Sequence, residues 1–162
     1  MLTSASSLTR IRQEARQRRL PLVLVNGCFD LLHAGHAALL QAAKENQPGG
    51  ALLAVAVNSD ASVRQIKGPR RPIIGQEERL ALILALRWVD FGFVFDELRV
   101  TWIIQMMQPD IWVKGGAYTL DTIDPSERAA AEGAGAEIQF IPYAKNLSTT
   151  SIIRRCQAAA PD

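Results

Sequence analysis

The sequence of 162 residues contains few cysteines and few histidines, with two of each. Cys28 and Cys156 lie far apart and match no zinc-ligand spacing, so no zinc site of paired cysteines is expected. We expect Cys28 to be a small buried residue, with a reactive thiolate as the alternative. The sequence also lacks a P-loop and a G-x-G-x-x-G fingerprint, which disfavours P-loop NTPases and dinucleotide-dependent dehydrogenases.

No stretch has the pattern of a signal peptide, and none has the run of about 20 apolar residues that a membrane span requires. We therefore expect a cytoplasmic protein without a membrane partner. The net charge is only +2, and 48% of the residues are hydrophobic. This composition predicts a single domain over residues 1–162 with one well-filled core.

The positive charge is concentrated near the N-terminus. Leu8, Ile11 and Ala15 form a thin apolar stripe there, which predicts a helix with a solvated basic face within residues 1–20. A nucleic-acid-binding arm is the alternative, but no aromatic residues lie between the arginines, so no nucleic-acid partner is expected. The arginines are Arg10, Arg12, Arg16, Arg18 and Arg19.

Apolar runs typical of strands alternate with helix-like segments over the catalytic core that we predict for residues 21–156. The runs are continuous, as expected for a parallel sheet covered on both faces. The alternation predicts a Rossmann-like, doubly wound α/β fold of about five strands. The predicted strands are Leu22–Val25, Leu52–Val57, Phe91–Phe95, Asp110–Val113 and Glu137–Ile141. The predicted helices lie near 35–46, 76–88, 98–107, 125–133 and 149–158.

Both histidines lie directly after the first predicted strand, in the segment Gly27–His36. A helix is predicted to follow, and its free N–H groups and dipole favour a bound phosphate. His33 and His36 could donate hydrogen bonds that stabilise charge during phosphoryl transfer, and Gly35 would let a phosphate approach the backbone. A metal-binding pair and a structural pair are the alternatives.

Ligands of such folds bind beyond the carboxyl ends of the strands, and the other segments that follow strands are polar, basic or rich in glycine. Ser148–Ser151 precedes the last helix and suits both a helix cap and a second anion site. Lys67, Arg70 and Arg71 are expected in a loop, either solvated or closing over a triphosphate. We assign Asn58, Asp60 and Arg71 to substrate binding because they follow the second strand. Lys114, Gly115 and Gly116 follow the fourth strand and could form a turn or border a nucleotide.

The pattern G-x-F-D-x-x-H-x-G-H after the first strand, with S-T-T before a late helix, resembles the cytidylyltransferase-like nucleotidyltransferases. Further segments resemble the heptose 1-phosphate adenylyltransferases of bacterial ADP-heptose synthesis. Those segments include Val57–Ser62, Gln76–Arg79, Val113–Gly116 and Leu147–Ile153, and the resemblance covers roughly residues 20–155.

The resemblance implies transfer of AMP from ATP to a sugar 1-phosphate, with release of pyrophosphate. His33 and His36 would bind the triphosphate and stabilise the transition state, and Lys67 would contact phosphates. The nucleotide would be bound by Gly27, Phe29, Asp30 and Gly35 of the histidine segment, by Lys114, Gly115 and Gly116, and by Ser148, Thr149 and Thr150. Mg²⁺ is expected on the triphosphate, without a metal cage supplied by the protein.

The chain departs from the subfamily pattern at Ala117, where an Asp is common. Acceptors other than heptose 1-phosphate therefore stay open, among them glycerol 3-phosphate, another sugar phosphate and flavin mononucleotide. CTP in place of ATP, and nucleotide binding without turnover, stay open as well. In many bacteria this domain is fused to a sugar kinase, so we expect a separate sugar kinase in the pathway, and the family implies a homodimer.

Overall fold

The computed structural model describes residues 3–142 and 148–159, in which five strands form one parallel sheet. The strand order is β3-β2-β1-β4-β5, so the direction of winding reverses at β1. This arrangement confirms the predicted Rossmann-like, doubly wound fold. The strands are β1 (Leu22–Gly27), β2 (Leu52–Asn58), β3 (Phe91–Phe95), β4 (Ile111–Gly115) and β5 (Glu137–Ile141).

Alternate residues of each central strand face two separate apolar clusters, one on each side of the sheet. Leu22 and Leu24 of β1 pack with the helices Ala5–Arg18, Thr101–Met107 and Pro125–Gly133, while Val23 and Val25 pack with the helices Ala34–Glu45 and Gln76–Leu84. Covering both faces explains why the strands are continuous apolar runs. The helices are α1 (Ala5–Arg18), α2 (Ala34–Glu45), α3 (Asp60–Lys67), α4 (Gln76–Leu84), α5 (Thr101–Met107), α6 (Pro125–Gly133) and α7 (Thr149–Ala159).

The basic N-terminal helix is present as α1, and it packs against the sheet through its apolar stripe. Leu8 and Ala15 are fully buried, and most of the arginines are exposed. Arg12 differs from the prediction of a solvated face, because its guanidinium donates to both oxygens of Asp110, at 2.5 and 3.0 Å. Asp110 also accepts a hydrogen bond from the backbone N–H of Leu22, so this ion pair anchors α1 at the start of β1 and β4.

One helix was missing from the predicted elements. Residues Asp60–Lys67 form α3, where sequence analysis placed a loop, so Lys67 is the last residue of a helix and only Arg70 and Arg71 lie in the loop that follows. The Ser59 hydroxyl caps α3 by accepting from the backbone N–H of Ser62 at 3.2 Å. No helix among the described residues is long and apolar enough to cross a membrane.

Candidate active site

A cavity of about 720 Å³ opens at the carboxyl ends of β1, β2 and β4, next to the strand at which the winding reverses. All predicted site residues except Gly35 and Asp60 line it. Parallel strands bring the segments that follow them to one edge of the sheet, which explains the convergence. A second cavity of similar volume lies between α1 and β3 and contains none of the predicted site residues.

The two histidine rings are stacked at the N-terminus of α2. Their centroids lie 3.8 Å apart with an angle of 19° between the planes, and the Phe29 ring lies 5.3 Å from His36. His33 is the N-cap, and its Nδ1 accepts from the backbone N–H of Gly35 at 3.1 Å. Gly35 therefore orients the first imidazole through its backbone and does not line the cavity.

Both imidazoles are neutral at physiological pH. Burial lowers the pKa of His36 to about 4, with the neighbouring His33 adding to the decrease and Asp30 opposing it. Burial also lowers the pKa of His33. Because Nδ1 of neutral His33 accepts a hydrogen bond, its proton resides on Nε2, which is therefore the donor nitrogen of the ring.

The turn that carries these rings has an unusual backbone. Phe29 and Leu31 have positive φ angles of 49° and 48°, which are uncommon for bulky residues and recur at functional sites. Gly27 leaves room beside them, because a Cβ there would lie 3.3 Å from the Phe29 ring, a tight contact. The glycine lets Phe29 pack beneath the turn, where it is almost fully buried.

Asp30 connects three segments of the cavity wall. Its buried carboxylate accepts from Arg71 Nε at 2.6 Å and from the backbone N–H groups of Ile73 and Ile74 at 3.0–3.1 Å. Its backbone carbonyl accepts from the Thr149 hydroxyl at the start of α7. Asp30 therefore holds these three segments together. Its carboxylate is hydrogen-bonded within the protein.

Apart from the histidines, four cations and three carboxylates among the described residues line the cavity. Each carboxylate pairs with one cation, which joins Asp30 to Arg71, Glu127 to Lys114, and Asp124 to Arg99. Lys67 is the remaining cation; it is exposed and has no ion-pair partner within residues 3–142 and 148–159. Among the described residues, the unbalanced positive charge of the cavity thus lies at Lys67.

Sequence analysis did not identify Arg79 as part of the site. Its side chain is buried, and it donates to the carbonyl oxygens of Cys28 and Ile74 and to the Asp60 carboxylate at 2.8 Å. It joins the β1–α2 turn, the N-terminus of α3 and the segment before α4. Arg79 lies 51 positions from Cys28 in the sequence, so no local pattern indicates this role.

At the β4 end of the cavity lies Lys114, which, unlike Lys67, has an ion-pair partner among the described residues. Lys114 Nζ lies 3.0 Å from Glu127 Oε2 and about 5 Å from the ring centroids of Trp112 and Tyr118. Gly116 has a φ of 121° and donates its N–H to the carbonyl of Ile141, so the glycine turn closes β4 against β5. This conformation favours glycine and brings bare backbone to the cavity.

The hydroxyl run Ser148–Ser151 opens α7 and serves as a helix cap, as predicted. Ser148 Oγ accepts from the N–H of Ser151 at 3.1 Å, and Ser151 Oγ accepts from the N–H of Ser148 at 3.2 Å. Ser148, Thr149 and Thr150 also line the cavity, so their position fits the predicted anion site. Residues 143–147, which precede this run, lie outside the described residues.

All three residues assigned to substrate binding have partners inside the protein. The Asn58 amide lines the cavity but donates to Ser62 Oγ at 2.9 Å. Asp60 faces Arg79 and not the cavity. Arg71 lines the cavity while bound to Asp30, and the substrate-binding role of all three residues stays a prediction.

The cavity residues also bear on two other chemistries, a cysteine nucleophile and a protein-bound metal ion. The Cys28 thiol is half-buried, and burial raises its pKa, which disfavours the thiolate needed for a nucleophile. Within residues 3–142 and 148–159, no group of three or more His, Cys, Asp or Glu side chains is arranged to hold a metal ion. The engaged carboxylates described above therefore do not fit a protein-bound Mg²⁺ site.

Comparison with known proteins gives independent evidence about the family to which this chain belongs. Residues 24–155 match a family model described as cytidylyltransferase-like. The bifunctional protein HldE of Syntrophotalea carbinolica is 42% identical over 149 residues, which are 92% of this chain and 29% of that protein. HldE of Geobacter sulfurreducens is 43% identical over 134 residues, which are 83% of this chain and 26% of that protein. The chain thus spans less than a third of the length of these curated relatives.

A solved structure supports the fold. The crystal structure of a lipopolysaccharide core biosynthesis protein from Thermoplasma volcanium superposes with a TM-score of 0.64 at 29% sequence identity. The match covers 78% of this chain and 99% of that one. The two proteins therefore share a fold.

Proposed function

The chain belongs to the cytidylyltransferase-like family and is a nucleotidyltransferase, and we propose that it transfers AMP from ATP to a heptose 1-phosphate. The products would be ADP-heptose and pyrophosphate. The observation that carries this proposal is the stacked pair His33 and His36, which shares one cavity with Lys67 and the hydroxyl run at α7.

The neutral imidazoles suit the transition state of nucleotidyl transfer. An oxygen of the acceptor phosphate attacks the α-phosphorus of ATP in line, the bond to the bridging α–β oxygen breaks, and pyrophosphate leaves with that oxygen. The attacking phosphate is already anionic, so no general base is required. The protein's contribution is positioning and electrostatic stabilisation, which Nε2–H of His33 and the N-terminus of α2 supply at the α-phosphate.

The outer phosphates fit the cationic side of the cavity. Lys67 offers an ammonium without an internal partner among the described residues, and Thr149 and Thr150 lie at the N-terminus of α7. Helix N-termini and unpaired cations favour the charge that develops on pyrophosphate as it leaves. We propose that Mg²⁺ arrives with the triphosphate as part of the substrate, since the residues described do not fit a metal cage.

The choice of adenine nucleotide and heptose rests on relatedness. The segments Val57–Ser62 and Val113–Gly116 resemble the heptose 1-phosphate adenylyltransferases, the curated relatives are bifunctional HldE proteins, and the solved neighbour is a lipopolysaccharide core biosynthesis protein. The additional length of the relatives leaves room for a second activity in those proteins. We propose that a sugar kinase supplies the phosphorylated acceptor, in the cytoplasm; a homodimer also stays a prediction.

Pyrophosphate release tests the proposal directly. The protein is incubated with ATP or CTP and with heptose 1-phosphate, mannose 1-phosphate, glycerol 3-phosphate or flavin mononucleotide. We expect the highest kcat/KM for ATP with heptose 1-phosphate. Release with CTP alone would refute adenylyl transfer, and release with another acceptor alone would refute the heptose assignment. No release with any pair would leave a nucleotide-binding protein without turnover.

A further inference from the structure

A buried arginine lies behind the histidine turn, outside the cavity. Arg79 is near the start of α4, its exposed fraction is 1%, and it is not among the described residues that line the cavity. The proposed transfer step makes no direct use of it. Burying a guanidinium is costly unless its hydrogen bonds are satisfied, so the partners of Arg79 indicate what it does.

The three nitrogens of the Arg79 guanidinium bind three different segments. Nη1 donates to the carbonyl oxygen of Cys28, Nε to that of Ile74 at 3.0 Å, and Nη2 to the Asp60 carboxylate at 2.8 Å. The guanidinium is planar and its donors diverge in fixed directions, so one side chain sets the relative position of all three acceptors. A lysine ammonium cannot replace this arrangement, since its donors share one nitrogen.

The bond to the Cys28 carbonyl acts on the part of the turn with the most unusual backbone. That carbonyl belongs to the peptide that joins Cys28 to Phe29, so holding it restricts ψ of Cys28 and φ of Phe29. The φ of Phe29 is 49°, a conformation that a bulky residue keeps only when its surroundings impose it. Arg79 donates to this carbonyl from a buried position, so it supplies part of that constraint.

Phe29 transmits the constraint to the imidazoles. Its ring centroid lies 5.3 Å from that of His36, which in turn stacks on His33 at 3.8 Å. If the Cys28–Phe29 peptide rotated, the Phe29 ring would leave its place beside His36, and the stacked pair would lose one of its supports. A displacement of about 1 Å in a group that acts on the reacting atoms can cost about 10²-fold in rate.

The bond to the Ile74 carbonyl acts on the next residue of the turn. The backbone N–H groups of Ile73 and Ile74 donate to the Asp30 carboxylate at 3.0–3.1 Å. Arg79 thus holds the carbonyl of a residue whose N–H binds Asp30, and Asp30 directly follows Phe29. Two branches of one guanidinium therefore support the turn at two consecutive residues.

We propose that Arg79 is a positioning residue for nucleotidyl transfer, which keeps both imidazoles in place by holding the backbone of the histidine turn. The inference rests on the proposed nucleotidyl transfer but not on the identity of the sugar. Loss of the guanidinium geometry should lower kcat more than it weakens nucleotide binding, because the interactions at the α-phosphate are strongest in the transition state.

Kinetics of two variants and a matched control test this assignment. Arg79→Lys keeps the positive charge without the divergent donors, and Asp60→Asn keeps an oxygen acceptor without the charge that holds the guanidinium. Arg12→Met is the control, because Arg12 also pairs with an aspartate, Asp110, but at the opposite end of the sheet, where β1 and β4 begin. We expect kcat to fall roughly 10- to 100-fold in Arg79→Lys and roughly 3- to 10-fold in Asp60→Asn. The KM for ATP should change less than about threefold in both, and the control should match wild type.

A spectroscopic measurement separates a displaced turn from a weakened fold, and it needs no turnover. NMR follows the imidazole Cε1–H signals of wild type, Arg79→Lys and the control as the pH is changed. Burial holds the pKa of His36 at about 4, so a loosened turn that admits water should raise this pKa above about 5, toward 6.5. Because Arg79→Lys keeps a positive charge, such a change reports on the turn and not on a lost charge. In the control the pKa of His36 should equal that of wild type.

The acceptor in the kinetic assays is whichever phosphate gives wild type its highest kcat/KM, so Arg79 can be tested even if the heptose assignment fails. If wild type turns over no acceptor, the proposed function fails, and the NMR comparison alone decides whether Arg79 holds the imidazoles in place. If thermal unfolding shows that Arg79→Lys does not fold, Asp60→Asn takes its place in both measurements.

Three results would overturn the assignment. An unchanged kcat in the folded variant would show that the reaction does not depend on the guanidinium geometry. An equal fall of kcat in Arg12→Met would make the effect one of general stability. A pKa of His36 that stays near 4 in the variant would show that the turn keeps its place without Arg79.

Discussion

Lowering the pH should destabilise the fold through His36. The pKa of this residue is about 4 in the folded protein and about 6.5 when exposed to water. As the pH falls below about 6.5, the His36 imidazole takes up a proton in the unfolded chain. In the folded protein the same imidazole stays neutral until the pH approaches about 4. The free energy of unfolding therefore decreases across that window and levels off below it. At 1.36 kcal/mol per pKa unit, the loss is about 3 kcal/mol.

Comparison with a variant isolates this contribution from the acids that titrate in the same range. Urea unfolding is measured between about pH 7 and pH 4 for wild type and for His36→Gln, in which the side chain cannot take up a proton. Wild type should lose about 3 kcal/mol more than the variant. Because the chain has two histidines, NMR of the imidazole Cε1–H signals follows both, and His33→Gln assigns them.

A bound triphosphate should favour protonation of His36, whereas burial disfavours it. Its negative charge favours the imidazolium, so a non-hydrolysable ATP analogue should raise the pKa of His36. The reasoning is refuted if His36 titrates near 6.5 in the free protein, or if the stabilities of wild type and His36→Gln fall in parallel with pH.

Three further substitutions test the site. His36→Ala should lower kcat by about 10²- to 10³-fold with a smaller effect on nucleotide binding, as for loss of one preorganised donor; an unchanged kcat in steady-state assays would contradict its role. Lys67→Ala should weaken ATP binding by about 1.5–3 kcal/mol, measured by calorimetry, because a charge-assisted hydrogen bond is lost; equal affinities would argue against a phosphate contact. Arg79→Met should reduce the free energy of unfolding in urea by about 3 kcal/mol, since it leaves Asp60 and two carbonyls without their donor; a loss under about 1 kcal/mol would show that these groups find water instead.

The sheet and the segments that follow its strands could be predicted from the sequence, because continuous apolar runs are typical of buried parallel strands. Parallel strands end at one edge, so the histidine turn, Lys114–Gly116 and Ser148–Thr150 had to converge there. Helix α3 was missed because the charges of its eight residues and the adjacent Gly68 and Pro69 indicated a loop. The Ser59 cap was the local signal that could have identified it.

The connections inside the site could not be predicted, because their partners are distant in sequence. Arg79 reaches Cys28 across 51 positions, and Asp30 reaches Thr149 across 119. The Arg99–Asp124 pair likewise depends on how α5 and α6 pack. Such contacts follow from tertiary structure and leave no periodicity or spacing in the sequence.

Helix α7 is weakly attached to the rest of the protein, so its position should depend on whether a nucleotide is bound. None of its residues is fully buried, and its first residue is tied to the Asp30 carbonyl. A helix with so little buried surface gains little free energy from the core, so phosphates bound at its N-terminus would strengthen its attachment. Thermodynamic reciprocity then applies: docking of the helix tightens nucleotide binding by the same factor as bound nucleotide favours docking. The far end of the chain thereby becomes a place where affinity for the nucleotide can be tuned without altering a residue of the histidine turn.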